Sequence, residues 1–168
     1  VLFRSITDGS VTLTYAELDE RITHWAGQLR EWQVGPESIV AVHLGRSAEF
    51  VVAMLAILRA GGAYLPLEED LPEVRLAQIV SSAQPLLVVT QRSLVGRCPP
   101  GVRTVCIEDL AAGTAPDSPK VWPVPAADQA AYVIHTSGST GLPKGIVGLH
   151  GVLTNLLEWQ ISHPRPAR

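Results

Sequence analysis

The hydrophobic positions near the beginning of the chain recur with the period of an α-helix. Thr14 and Glu17 have the spacing of a capping box, and Leu13 and Leu18 have that of a hydrophobic staple. Apolar residues then recur every three or four positions, at Leu18, Ile22, Trp25, Ala26 and Leu29. The pattern predicts an amphipathic helix that begins after Thr14 and ends before Gly35-Pro36.

Beyond this helix, short apolar runs alternate with helical patterns. The predicted strands lie at residues 38–44, 63–67, 86–90, 102–107, 130–134 and 145–149. The predicted helices run from 47 to 60, from 72 to 83 and from 150 to 159. Residues 111–127 contain four prolines and are expected to form a surface connection. The alternation predicts an α/β fold with a mainly parallel sheet flanked by helices.

Composition narrows the classes of function. The 168 residues suit one domain, and 46% of them are hydrophobic, which is ample for a core. Only 17% are charged, which indicates surface that is normally covered. The net charge is -3, and Lys144 is the only Lys or Arg between Lys120 and Arg165. No nucleic-acid partner is therefore expected.

Neither a membrane segment nor a secretory signal is expected. The longest apolar run, residues 50–58, is too short to cross a bilayer. Cys98 and Cys106 lie in no CxxC or His-paired arrangement. We therefore expect two reduced, structural thiols in a cytoplasmic protein.

The stretch Thr136-Ser-Gly-Ser-Thr-Gly-Leu-Pro-Lys-Gly145 directly follows a strand pattern and contains three glycines, four hydroxyl side chains and one lysine. Glycines let backbone N–H groups approach an anion, hydroxyls add donors, and Lys144 adds a positive charge. This composition predicts a phosphate-binding loop. The stretch lacks the Gly-Lys-Ser/Thr run of the P-loop NTPases. The alternative interpretation is a flexible linker, against which its position between two strand patterns argues.

With the residues before it, Tyr132-Val-Ile-His-Thr-Ser-Gly-Ser-Thr-Gly-Leu-Pro-Lys-Gly145 resembles the signature loop of the adenylate-forming enzymes. These include acyl-CoA ligases, luciferases and the adenylation domains of nonribosomal peptide synthetases. The resemblance implies that the loop holds the β- and γ-phosphates of ATP. The implied nucleotide-binding residues are Thr136, Ser137, Gly138, Ser139, Thr140, Gly141, Lys144 and Gly145. No catalytic residue is assigned within the chain. No metal ligand is assigned either, because Mg2+ would arrive with ATP.

Two further stretches resemble motifs of peptide-synthetase adenylation domains. They are Leu13-Thr-Tyr-Ala-Glu-Leu18 and Leu58-Arg-Ala-Gly-Gly-Ala-Tyr-Leu-Pro-Leu67, both with expected structural roles. After the second, Glu68-Glu69-Asp70 replaces the usual Asp-Pro and leaves the local turn open. The second motif and the loop together favour an amino acid as substrate.

Two histidines lie next to the loop. His135 stands where the family usually carries Tyr and is expected to pack or bond locally. His150 and Asn155 fit the family's pattern after the loop, where His150 would begin a helix facing the substrate side. The alternative is that His150 is an N-cap or a helix-packing residue.

The implied reaction joins a carboxylate to Mg-ATP and gives an acyl adenylate and pyrophosphate. The acyl group then passes to the phosphopantetheine thiol of a peptidyl-carrier domain. The alternatives are a D-alanine:carrier-protein ligase, an acyl-CoA ligase, or a non-catalytic remnant that serves as an interaction surface.

The predicted domain covers residues 13–160 and forms the amino-terminal part of the large subdomain of an adenylation domain. Residues 1–12 are expected to be a leader and residues 161–168 a frayed or artificial end. The first five residues resemble a translated sequencing adapter, and the alternative is an internal fragment. The family's adenine-, ribose- and amine-binding segments would lie beyond Arg168. We therefore expect the chain to need the remainder of the adenylation domain and to be inactive alone.

Overall fold

The computed structural model describes residues 4–9, 11–114, 121–137 and 143–163. Its strands are β1 (Arg4–Asp8), β2 (Val11–Thr14), β3 (Ile39–His43), β4 (Ala63–Leu67), β5 (Leu87–Thr90), β6 (Thr104–Cys106), β7 (Ala130–Ser137) and β8 (Pro143–Leu149). Its helices are α1 (Tyr15–Glu31), α2 (Ala48–Ala60), α3 (Glu73–Ala83), α4 (Ile107–Ala112) and α5 (His150–Ser162), with a 3-10 helix at Arg92–Arg97.

The described strands form a mixed sheet of six strands in the order β6-β5-β3-β4-β7-β8, while β1 and β2 form a separate antiparallel pair. The neighbours from β6 to β7 are parallel, and β8 returns antiparallel to β7. The register between β3 and β4 runs from Ile39 opposite Ala63 to His43 opposite Leu67. The predicted α/β fold with a mainly parallel sheet is confirmed.

Helices cover both faces of the central strands. On one face, α1 and α2 pack over Val40, Val42, Leu87 and Val89. On the other face, α3 packs over Ala41, Leu65, Val88 and Val133. Successive side chains of a strand point to opposite faces, so a strand covered on both sides is apolar throughout. This explains why the first four residues of β3, from Ile39 to Val42, are all apolar.

Local signals set the beginnings and ends of the first two helices. The backbone N–H of Thr14 donates to Glu17 Oε2 at 2.8 Å, and the N–H of Glu17 donates to Thr14 Oγ1 at 3.2 Å, as the capping box predicts. Ser47 caps α2 by accepting from the N–H of Phe50 at 3.2 Å. Gly61 ends α2 with a φ of 93°, a left-handed conformation that favours glycine.

Several boundaries differ from the predictions. The strand predicted at 102–107 is limited to β6, because Ile107 already begins α4, whose first turn carries Glu108 and Asp109. Pro72 is the N-cap of α3 instead of lying in its first turn. Helix α5 continues to Ser162, and β7 and β8 extend toward the loop because they pair there.

Other features had no prediction. Strands β1 and β2, the 3-10 helix and α4 were not expected, and β1 falls within the predicted leader. The turn after β4 is closed by the N–H of Leu71, which donates to the carbonyl of Glu68 at 3.3 Å. Within the described ranges, no helix combines the length and the apolar character needed to cross a membrane.

Candidate functional site

The glycine-rich segment follows the carboxyl end of β7. Since β3, β4 and β7 are parallel, their carboxyl ends lie along one edge of the sheet. Ligands of open α/β sheets bind outside this edge. The topology therefore places the described flanks of the predicted phosphate loop, Thr136 and Lys144, at the edge where such a sheet binds its ligands.

Strands β7 and β8 bring the two flanks of the loop together. Thr136 lies opposite Lys144, and Ser137 lies opposite Pro143, in the antiparallel register. The side chains of Thr136 and Lys144 are exposed. One hydroxyl and one ammonium group are thus presented side by side, and both donate hydrogen bonds to phosphate oxygens.

The predicted site residues divide into two sets. The structure brings together Thr136, Ser137, Lys144 and Gly145 on adjacent strands. Gly138, Ser139, Thr140 and Gly141 lie outside the described residues, so their role remains a prediction. Among the residues described, no group of three or more His, Cys, Asp or Glu side chains is placed to hold a metal ion.

His135 packs over the backbone at the exit of the loop. It lies opposite Gly145, where a Cβ would come within 3.2 Å of its Nε2 and 3.3 Å of its Cε1. Both ring nitrogens are buried and have no hydrogen-bond partner among the described residues. Burial, and then the positive charge of Arg75 on α3, lower the pKa of the imidazole from its ordinary value of 6.5. The expected local packing of His135 is therefore present.

Tyr132 makes a second contact of this kind on the opposite face of β7. It lies opposite Gly148, and a Cβ at Gly148 would overlap carbons of the Tyr132 ring. The Tyr132 ring also contacts the Tyr64 ring on β4, with centroids 5.9 Å apart. Burial raises the pKa of Tyr64. Two aromatic rings thus cover two glycines of β8, on opposite faces of the hairpin.

His150 lies at the other end of β8 from Lys144. It begins α5 as predicted, but the N-cap is Leu149, and the five residue steps along β8 from Lys144 to Leu149 correspond to roughly 17 Å. The backbone N–H of His150 donates to the carbonyl of Gln129 at 3.0 Å, and burial lowers the pKa of its ring. These contacts support the helix-packing alternative, and the expected place of His150 on the substrate side stays a prediction.

Sequence reasoning missed a cleft of about 670 Å3 beside β3 and β4. It is lined by Leu44, Gly45, Arg46, Phe50, Pro66, Leu67, Glu68, Glu69 and Asp70. The cleft lies at the carboxyl ends of these strands, along the same edge as the loop. Its acidic residues are the three that depart from the family's pattern. That departure was the available signal, but a sequence alone does not show that β3 contributes the opposite wall.

The two cysteines are not activated nucleophiles. Both are free, and Cys98 Sγ lies 3.9 Å from His43 Nδ1. Burial raises the pKa of both thiols, and it lowers the pKa of His43. A thiol in apolar surroundings stays protonated at neutral pH, as expected of a structural cysteine.

A parallel α/β sheet with a glycine- and hydroxyl-rich loop after one strand defines a class of nucleotide-phosphate-binding proteins. The family model described as "AMP-binding enzyme" matches residues 2–167. The chain therefore belongs to the AMP-binding enzyme family, whose members are adenylate-forming ligases, and it resembles the adenylation domains of nonribosomal peptide synthetases.

Three similar proteins support this family membership. Tyrocidine synthase 3 of Brevibacillus parabrevis is 38% identical over 149 residues, which cover 88% of this chain and 2% of the synthase. The nonribosomal peptide synthetase FmoA3, in its form bound to alpha-methyl-L-serine-AMP, superposes with a TM-score of 0.80 at 32% identity, over 92% of this chain and 17% of FmoA3. NpsA-ThdA, an artificially fused adenylation-PCP di-domain from Klebsiella oxytoca, superposes with a TM-score of 0.77 at 28% identity, over 83% of this chain and 28% of NpsA-ThdA. The chain thus spans a small part of each.

Proposed function

We propose that the chain carries the phosphate-binding loop of an adenylation domain that uses ATP to activate an amino acid. The observation that carries the proposal is the β7–β8 pair, which sets Thr136 opposite Lys144 at the carboxyl edge of a parallel sheet. A hydroxyl and an ammonium group, exposed and adjacent, are suited to the oxygens of a triphosphate.

In the proposed reaction, an oxygen of the substrate carboxylate attacks the α-phosphorus of ATP. The bond between the α- and β-phosphates breaks, and pyrophosphate leaves with the negative charge. Lys144 would stabilise this charge where it develops, and Thr136 would orient the same phosphates. Mg2+ that is bound to ATP would neutralise part of the remaining charge.

Two relatives support the choice of substrate and partner. FmoA3 has been crystallised with alpha-methyl-L-serine-AMP, an adenylate of an amino acid. NpsA-ThdA joins an adenylation domain to a PCP domain. We infer that this chain serves an amino-acid substrate, and that the acyl group is then transferred to the phosphopantetheine thiol of a peptidyl-carrier domain.

We also infer that residues 13–160 act as one part of a longer adenylation domain. The remaining segments would bind adenine, ribose and the substrate amine, so the chain alone should have no adenylation activity. A cytoplasmic location is proposed, because ATP is the substrate and both cysteines are free thiols.

The test uses a complete adenylation domain that contains this sequence, and its measurement is amino-acid-dependent pyrophosphate exchange. Lys144→Ala should lower kcat/KM for ATP by about ten- to a hundredfold, since a charge-assisted contact contributes roughly 1.5 to 3 kcal/mol. Arg30→Ala is the matched control, because it removes an exposed cation from α1, away from the loop.

Equal exchange rates in the two variants at limiting ATP would contradict the role of Lys144. Exchange that depends on a fatty acid, or on D-alanine alone, would leave the loop assignment in place and would replace the amino-acid substrate with one of the alternatives. Absence of exchange with every carboxylate would favour the non-catalytic remnant.

A further inference from the structure

The contact between His135 and Gly145 joins the two strands just before the loop. The ring lies so close to β8 that a Cβ on Gly145 would meet both Nε2 and Cε1, at 3.2 and 3.3 Å, and Val133 Cγ1 at 3.4 Å. One residue further along, Thr136 faces Lys144. The imidazole therefore packs on Gly145, which is the neighbour of Lys144 in β8. Thr136 and Lys144 are the pair that is proposed to bind phosphate.

This packing suits a neutral ring and disfavours a charged one. Neither ring nitrogen reaches solvent or has a hydrogen-bond partner among the described residues. A protonated imidazole has two N–H donors and a full charge, and both need water or an acceptor. The ring would have to leave Gly145 to obtain them.

The charged groups around His135 act in the same direction. Arg75 on α3 faces the ring and contributes to its lowered pKa, after burial. On β8 the nearest charged residue is Lys144, which lies opposite Thr136, one register position from the pair of His135 and Gly145. The titratable tyrosines of β4 and β7, Tyr64 and Tyr132, lie on the opposite face. Within the described part of the chain, no carboxylate opposes the lowering of the His135 pKa by burial and Arg75.

We propose that His135 is a positioning residue, and that its protonation state controls how tightly Thr136 and Lys144 bind phosphate. While neutral, its ring holds Gly145, and with it Lys144, in register with Thr136. Once protonated, the ring leaves the backbone of β8, and the phosphate contacts loosen. The proposal rests on the proposed function of the loop.

The sign of the effect follows from the direction of the pKa. A histidine whose pKa is lowered below 6.5 stays neutral at pH 7 and takes up its proton only in more acidic solution. ATP affinity should therefore be full near neutral pH. It should fall, by up to about tenfold per pH unit, once the pH drops below the pKa of the ring. A direct charge contact of His135 with phosphate predicts the opposite, an affinity that rises in acid.

The experiment measures the dissociation constant for ATP between about pH 7.5 and pH 5 in the complete adenylation domain. His135→Tyr keeps an aromatic ring over Gly145 without a group that titrates in this range, so its profile should be flat relative to wild type. His24→Gln removes a half-buried histidine of α1, which packs on the opposite face of the sheet, and should keep the wild-type profile. Protonation of ATP is common to all variants, so the difference between profiles is the readout.

A second measurement separates this proposal from the function on which it rests. In the ligand-free domain, the amide resonance of Gly145 should titrate together with the ring of His135, and it should not do so in His135→Tyr. If ATP fails to bind at any pH while this coupling is present, the proposed function is wrong and the coupling stands. His135→Phe replaces His135→Tyr if the latter does not fold.

Three outcomes would overturn the proposal. They are a wild-type pH profile that His135→Tyr shares, an ATP affinity that rises in acid, and a Gly145 resonance that does not follow the His135 ring.

Discussion

Because Gly148 has no side chain, an aromatic ring of β7 can pack directly on β8. The ring of Tyr132 occupies the space that a Cβ at Gly148 would need, and it also contacts Tyr64. Gly148 is buried and its φ is not positive, so the requirement is one of space and not of backbone conformation. The ring over the glycine links β4, β7 and β8.

We expect Gly148→Ala to lower the free energy of unfolding by about 1 to 3 kcal/mol, because the added methyl group must displace the Tyr132 ring. Urea denaturation of the complete domain is the measurement. Gly96→Ala is the matched control, since nothing lies within 4 Å of the added Cβ there. Combining Gly148→Ala with Tyr132→Ala should cost less than the sum of the single changes. Strict additivity would show that the ring does not occupy that space.

At the scale of elements, α1 is the clearest case in which a few neighbouring residues decide where a helix begins. The capping box that the sequence predicts is formed by reciprocal bonds between Thr14 and Glu17. The hydrogen bond from the Thr14 backbone, and then that from its side chain, lower the pKa of Glu17 below its ordinary value of 4.5. The contribution of the Glu17 carboxylate is therefore present above pH 4.5 and is lost as the pH falls through the lowered pKa.

Thr14→Ala should destabilise the domain by about 1 kcal/mol, because the N–H of Glu17 loses the hydroxyl oxygen that accepts its hydrogen bond, and the Glu17 carboxylate loses the hydroxyl as a donor. Thr14→Ser retains a hydroxyl and should remain close to wild type. Thermal unfolding of both variants at neutral pH is the comparison. A drop of equal size in the two variants would mean that the methyl group of Thr14, and not its hydroxyl, is responsible.

Many apolar side chains of β8 and α5 are exposed to solvent. Ile146 and Val147 on β8 are more than half exposed, at 55% and 54%. Helix α5 has no buried residue, and its exposed apolar side chains include Val152, Leu156, Leu157, Trp159 and Ile161. Since β8 is also an edge of the described sheet, it presents unpaired backbone groups as well.

For the whole molecule, these exposed surfaces predict that the chain behaves poorly in isolation. We expect the 168-residue chain to self-associate and to bind a dye for apolar surface, whereas a complete adenylation domain stays monodisperse. Size-exclusion chromatography and dye fluorescence measure both properties. The variant with Val147→Lys, Leu156→Glu and Trp159→Lys should reduce association, because it charges this surface without touching the core. A wild-type chain that is monomeric and binds no dye would contradict the expectation.

Much of the fold could be predicted because its signals are local. The start of α1, the glycine that ends α2 and the extent of β4 each depend on residues within a few positions of one another. The mainly parallel sheet follows from the alternation of such elements. Strand β1 and the helix that begins at Ile107 were missed, because β1 depends on pairing with β2 and α4 on its place beside β6 and α1.

The site was predicted only in part. Composition alone indicated that Thr136, Lys144 and the glycines between them suit phosphate, because donors, charge and small residues are visible in a sequence. The cleft beside Glu69 could not be predicted, since one wall comes from β3 and the other from the end of β4. The sequence predicts that His150 begins a helix, but only the length of β8 shows that it lies at the opposite end of this strand from Lys144.

By itself, the sequence determined the alternation of the main strands and helices, the caps of the first helices and the chemical character of the loop, because each depends on neighbours along the chain. Only the tertiary structure decided which residue of β7 faces which residue of β8. Strand alternation shows which side chains share a face, but the register depends on pairing between segments and on the neighbouring strands. That register placed Lys144 beside Thr136, and it laid His135 on Gly145 and Tyr132 on Gly148.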